Sequence, residues 1–87
     1  MAAVGKRVTM GGSAVKLVDD GMRAVITNLD GTNSVSLGGP GVTAANGYKL
    51  AANASINVDT AADEVWGIAD AGTPAVAVLA VRAHDAF

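Results

Sequence analysis

Ser34-Val35-Ser36-Leu37-Gly38-Gly39-Pro40-Gly41 decides how this chain reads. Its first four residues put serine on one side and valine or leucine on the other, the two-residue period of a half-buried strand, and a turn rich in glycine and proline follows at once. Ser55-Ile56-Asn57-Val58 repeats the alternation. Working outward, turn signals stand at Gly11-Gly12, Asp19-Asp20-Gly21, Asp30-Gly31 and Asn46-Gly47. Their spacing of about eight to ten residues is that of short antiparallel strands. Between them lie runs rich in β-branched residues, at 6–10, 14–18, 22–29 and 33–37. Such stiff side chains favour a pleated surface over a helix.

In Glu64-Val65-Trp66-Gly67-Ile68, Trp66 and Ile68 share a side, and the only indole of the chain is expected to anchor the core with Ile68 beside it. Residues 74–81 are apolar on both faces and read as a central strand, or as one whose outer face meets another subunit. One helical turn is expected at 59–64, where Asp59 or Thr60 would cap the amides that follow. About seven short strands joined by glycine-rich turns predict an all-β fold, a small antiparallel β-sandwich or barrel.

With 87 residues and no linker or repeat, a single domain over 1–87 is expected. Of the 44 hydrophobic residues 18 are alanine, and 12 of the 26 larger ones are valine. A chain this short buries only about 60% of its unfolded surface. Burial against a partner, by oligomerisation or docking, is therefore an expected source of stability. Six Lys/Arg and eight Asp/Glu lie scattered singly, so no basic stripe of the kind that neutralises phosphates is present and nucleic-acid binding is not expected. The lack of cysteine removes disulfides, thiolate nucleophiles and zinc–thiolate sites. No apolar run approaches the ~20 residues of a membrane span. In Met1-Ala-Ala-Val-Gly-Lys-Arg7 the charges follow a short apolar stretch, the wrong order for a secretory signal, and synthesis in a cytoplasm is the expectation.

Titratable residues give little to build chemistry on. His84 and Asp85 sit together near the carboxyl end, a poor place for rigid acid–base geometry. Asp59, Asp63 and Glu64 offer oxygens to a hard cation, yet their spacing matches no EF-hand loop, and a capping aspartate in a solvated turn is the simpler reading. Asp19-Asp20-Gly21 and Asp30-Gly31 read as turn formers. Residues 37–42 have the glycine density of a phosphate cradle but lack its Lys-Ser/Thr pair and following helix. Asn53-Ala54-Ser55 fits the glycosylation triplet, which has no weight without an export signal. No catalytic residue, metal site or cofactor is expected. Tyr48 and Trp66 read as core or interface residues, and they are the only candidates for stacking a sugar should the chain be a carbohydrate- or cell-surface-binding module.

The segment 33–50, Asn-Ser-Val-Ser-Leu-Gly-Gly-Pro-Gly-Val-Thr-Ala-Ala-Asn-Gly-Tyr-Lys-Leu, followed by Ala54-Ser-Ile-Asn-Val58 and Asp63-Glu-Val-Trp-Gly-Ile-Ala69, resembles the small bacteriophage virion proteins known as head decoration or minor capsid proteins. In that pattern a strand ending in a Leu-Gly-Gly turn leads into a Val-Thr…Asn-Gly-Tyr…Leu loop, two short strands and a terminal valine-rich strand. The resemblance covers 22–82. Residues 1–20 fall outside it and read equally as first strands or as an extended arm. It implies a virion component on the capsid surface that binds the assembled head and bridges major capsid subunits, with a homotrimer as the first expectation. Similar segments in tail, connector and head-fibre proteins leave those virion positions as alternatives. On this reading Gly38, Gly39 and Gly41 permit left-handed or strained backbone, and Asn46-Gly47 makes a tight turn. Lys6, Arg7 and Val8, within a possible arm at 2–10, and Tyr48 are the candidate partner contacts.

Overall fold

The alternating segments become strands in a computed structural model of the protein, which describes residues 3–60 and 64–82. In chain order they are β1 (Val4–Thr9), β2 (Val15–Val18), β3 (Met22–Asn28), β4 (Val35–Gly38), β5 (Tyr48–Leu50), β6 (Ser55–Thr60), β7 (Val65–Ala69) and β8 (Ala75–Arg82). They form two four-stranded sheets, ordered β1-β8-β3-β6 and β2-β7-β4-β5, with every pairing antiparallel. The fold is a small antiparallel β-sandwich. The strand beyond the expected seven is β5, which the sequence presents as part of a loop. Three residues are too few to show a period, and only pairing with β4, Leu37 to Tyr48 and Val35 to Leu50, makes them a strand.

Only the β4–β5 connection stays within one sheet; every other successive pair of described strands crosses the sandwich. The glycine turns are therefore mostly corners rather than hairpin tips. Left-handed backbone falls at Gly21 (φ 77°), Gly72 (φ 66°) and Asn53 (φ 61°). Gly38, Gly39 and Gly41 are not among these positions, which corrects the expectation drawn from the glycine cluster.

Between the sheets, Ala24 and Ile26 of β3 and Val76, Val78 and Ala80 of β8 face Leu17 and Val18 of β2, Val35 and Leu37 of β4, Leu50 of β5 and Ala69 of β7. Met10 is fully buried among them at the first corner, where its amide donates to the Pro74 carbonyl at 2.8 Å. Burying each of the larger side chains contributes about 1.5–3 kcal/mol.

Trp66 and Ile68 do share a side, but it is the outer side of the second sheet. Both are half-buried, and neither belongs to the core cluster. Gly67 explains the reversal: a Cβ there would lie 2.8 Å from both Leu17 Cδ1 and Met10 Cε and 3.2 Å from Leu37 Cδ2. The inward position is left empty so that three larger side chains can fill it, and the indole is turned outward. The helical turn expected at 59–64 is also corrected in part. Asp59 and Thr60 continue β6, paired with Arg23 and Met22, because the long-range ladder wins over a local cap. Residues 61–63 lie outside the described residues, as do His84 and Asp85.

The amino-terminal segment is an edge strand rather than a free arm over 4–9, paired with β8 from Val4–Ala80 to Thr9–Ala75. Asn28, fully buried at the end of β3, holds the far end of the sandwich together. Its side-chain amide donates to the carbonyls of Asn33 (2.8 Å), Leu50 (3.3 Å) and Ala51 (3.3 Å), while its oxygen accepts from the Asp30 amide at 3.0 Å. Asp30 in turn accepts from the amides of Thr32 (2.7 Å) and Asn33 (3.0 Å), and these bonds to the charged form hold its carboxyl below the usual range.

Candidate contact surface

The register of the first sheet builds its outer face row by row. Gly5, Leu79, Val25 and Asn57 lie side by side across the four strands, and next to them run Arg7, Ala77, Thr27 and Ser55. Val81 and Arg23 continue the pattern toward the end of β8. Leu79 is 54% exposed, and Val25 and Val81 are each 40% exposed. Glycine opposite Leu79 leaves the edge of the sheet low, so the leucine stands over a shallow hollow lined by Gly5, Arg7, Val25, Thr27, Ala77 and Leu79. A second hollow, bordered by Arg23, Asn57 and Val81, shares Val25 and Leu79 with it. The polar side is tied down locally, with the Thr27 and Ser55 hydroxyls 2.7 Å apart.

Over β4 the outer face of the second sheet is covered by the protein's own chain. Residues 39–47 fold back over β4, and Val42 is only 6% exposed. Space for this loop depends on two glycines. A Cβ on Gly38 would meet Val42 Cγ2 at 3.0 Å, and one on Gly47 would meet Ser36 Cβ at 2.6 Å and Val42 Cγ2 at 2.8 Å. The Asn46-Gly47 turn is closed by Thr43: its amide donates to Asn46 Oδ1 at 2.8 Å, and its carbonyl accepts from the Gly47 amide at 3.0 Å. Gly39 and Gly41 are exposed and a Cβ on either would meet nothing within 4 Å; the Gly39 carbonyl accepts from the Val42 amide at 3.0 Å.

Beside the loop, Asp70 gathers a polar cluster. Its carboxylate accepts from Ser34 Oγ (2.5 Å), Ser36 Oγ (2.6 Å) and Lys49 Nζ (3.0 Å). Burial alone would raise the carboxyl pKa, but the bonds from Ser34, Ser36 and Lys49 and the lysine's charge outweigh it, and the group is held below the usual range. At the opposite edge Glu64 accepts from the Trp66 indole at 3.0 Å and from Lys16 at 3.2 Å, and Lys16 also pairs with Asp19 at 3.0 Å. The indole bond and then the lysine depress the Glu64 carboxyl, while the Asp19 and Glu64 hydrogen bonds raise Lys16.

The sequence-derived partner contacts separate on this geometry. Arg7 stands on the open outer face, exposed. Lys6, also exposed, shares the inward register with Val78 and Ile26 but lies on the edge strand. Val8 packs against the core, which corrects its assignment as a contact: alternation along β1 turns it away from Arg7. Tyr48 is 63% exposed at the end of β5, on the inward side shared with Leu37, where it borders an apolar gap with Ile56 and Val58. Tyr48 and Trp66 thus sit on opposite sides of one sheet and make no common stacking platform. Leu79, Val25 and Ala77, on the outer register of the first sheet, were not among the candidate contacts named from the sequence. For Leu79 and Ala77 the signal was the apolar outer register of 74–81, which the sequence offered as an alternative to a doubly buried strand; Val25 lies across from Leu79 on β3.

Among the described residues no group of three or more metal-ligating side chains converges, and no helix is long and apolar enough to cross a membrane. Comparisons with protein-family models, with curated proteins and with solved structures returned no match.

Proposed function

We propose that the chain is a non-enzymatic structural protein of a bacteriophage virion, a decoration protein that binds the outer surface of the assembled head and stabilises it by bridging major capsid subunits. The observation that carries this reading is the outer face of the β1-β8-β3-β6 sheet, which no described residue covers and where Leu79, Val25 and Val81 stay exposed in a chain short of large apolar residues. A small domain gains by covering such a face, and a rigid sheet loses little entropy on docking. The partner class comes from the resemblance of 22–82 to decoration and minor capsid proteins.

The mechanism needs no covalent step. Each copy adds modest contact across a joint between subunits, and many copies on one shell must be broken together before the lattice opens. A homotrimer is part of the proposal, since three linked copies would engage several subunits at once. Co-sedimentation with mature capsids, together with a higher capsid disruption temperature, is the expected result. Binding only to free capsid subunits, or antibody labelling of the tail on intact particles, overturns it.

A further inference from the structure

We infer that Asn46-Gly47 is a site of slow self-modification, at which the Gly47 amide nitrogen displaces the side-chain nitrogen of Asn46, and that the 39–47 loop both sets its rate and is opened by one of its products. The site goes beyond the adhesive reading above and stands whether or not the chain binds a capsid. Of the five asparagines only Asn46 precedes a glycine, the residue whose nitrogen is least shielded by a side chain of its own. Asn46 is exposed and borders the hollow lined by Gly39, Pro40 and Gly41, so water reaches it. In the reaction the Gly47 nitrogen gives up its proton and bonds to Asn46 Cγ, and Nδ2 takes up a proton and leaves as ammonia. Water then opens the cyclic imide. Attack at the former side-chain carbonyl gives aspartate, and attack at the main-chain carbonyl gives isoaspartate.

The closed loop opposes each requirement of this reaction. The Gly47 N–H that must lose its proton donates to the Thr43 carbonyl at 3.0 Å, and Asn46 Oδ1 accepts from the Thr43 amide at 2.8 Å, which holds the side chain toward Thr43. Gly47 itself is wedged against the strand, where a Cβ would lie 2.6 Å from Ser36 Cβ and 2.8 Å from Val42 Cγ2. Attack therefore waits for the loop to lift, and the buried Val42 side chain is the anchor that limits how often it does. The products differ in what they leave behind. Aspartate keeps a side-chain oxygen for the Thr43 amide and lets the loop close again. Isoaspartate runs the main chain through the former side chain and lengthens it by one carbon just before Gly47, where the packing has no room to spare, so this form does not reseal β4.

The test follows the whole chain at mildly alkaline pH by peptide mass mapping, which reads the exchange of nitrogen for oxygen at Asn46. Ion exchange separates the products, since each adds one negative charge to a net −2. In the folded parent the conversion should be at least about tenfold slower than in the same chain unfolded in urea. Val42→Ala, which frees the loop, should raise the folded rate at least about fivefold. Ile26→Val, a loss in the buried core away from the loop, should leave it within about twofold of the parent. Thermal melts establish that both variants fold. Gly38→Ala, whose Cβ would press on Val42 Cγ2 at 3.0 Å, replaces Val42→Ala if that chain does not. The isolated isoaspartate form should lose protection of the Gly47 amide against hydrogen exchange, while the aspartate form and Asn46→Asp keep it. Equal rates in the folded and unfolded parent, equal acceleration by the loop and core variants, no acceleration by either, or a Gly47 amide still protected in the isoaspartate form overturns the inference.

Discussion

The two outer faces of this sandwich began from the same alternation of residues and ended in opposite conditions. On the second sheet the 39–47 loop folds back, Val42 and Ser36 are buried, and Asp70 ties Ser34, Ser36 and Lys49 into one cluster. On the first sheet nothing from the described chain covers Leu79, Val25 and Val81. The difference teaches that an outward register does not by itself mean a solvated face. One face is sealed because two glycines let a loop approach it closely; the other keeps its apolar residues available for contact.

The contrast breaks most severely at Gly47. A Cβ at that position would lie 2.6 Å from the Cβ of Ser36, an atom with no freedom to swing aside. Gly47→Val should therefore cost about 3 kcal/mol, lowering the melting temperature by more than about 10 °C. A melt within a few degrees of the parent would mean that the loop does not seal the sheet.

A smaller effect is expected at Asp70. Asp70→Ala strips the hydroxyls of Ser34 and Ser36 of their acceptor, with Ser36 fully buried, and should cost about 2 kcal/mol by denaturant titration at neutral pH. The pH dependence sharpens the assignment. Because the folded-state pKa of Asp70 lies below its ordinary value of 3.8, its contribution is complete above that value. It is lost as pH falls through the depressed pKa. The stability gap between parent and Asp70→Ala should therefore close in acid, and a gap that stays constant down to strongly acidic pH would assign the loss to packing alone.

The smallest change is expected on the open face. Leu79 is more than half exposed, so Leu79→Thr should alter stability by about 0.5 kcal/mol or less. The same substitution should weaken partner binding, whereas the loop substitutions Ala44→Glu and Ala45→Glu should not. A large stability loss at Leu79 would show that the face belongs to the folding core and is not held in reserve for docking.

Much of the architecture was legible because short-range rules fixed it. Val35 and Leu37 alternate with Ser34 and Ser36, Ile56 and Val58 alternate with Ser55 and Asn57, and in each case the observed strand follows. The candidate surface was only half legible: Arg7 was named, but Val8 was named with it and Leu79 was not. A period of two says that neighbours point opposite ways without saying which way is in. Trp66 shows the same blindness, since its size suggested the core while Gly67 beside it held the inward place.

By itself the sequence determined the all-strand character and the positions of most turns, because each depends on residues within a few places of one another. Only the tertiary structure decided that nearly every turn crosses between sheets, that Asn28 would find the carbonyls of Leu50 and Ala51, and which outer face would be covered. Those outcomes depend on which strands become neighbours. Pairing is settled by the joint burial of side chains far apart in the chain, a quantity that no local stretch contains.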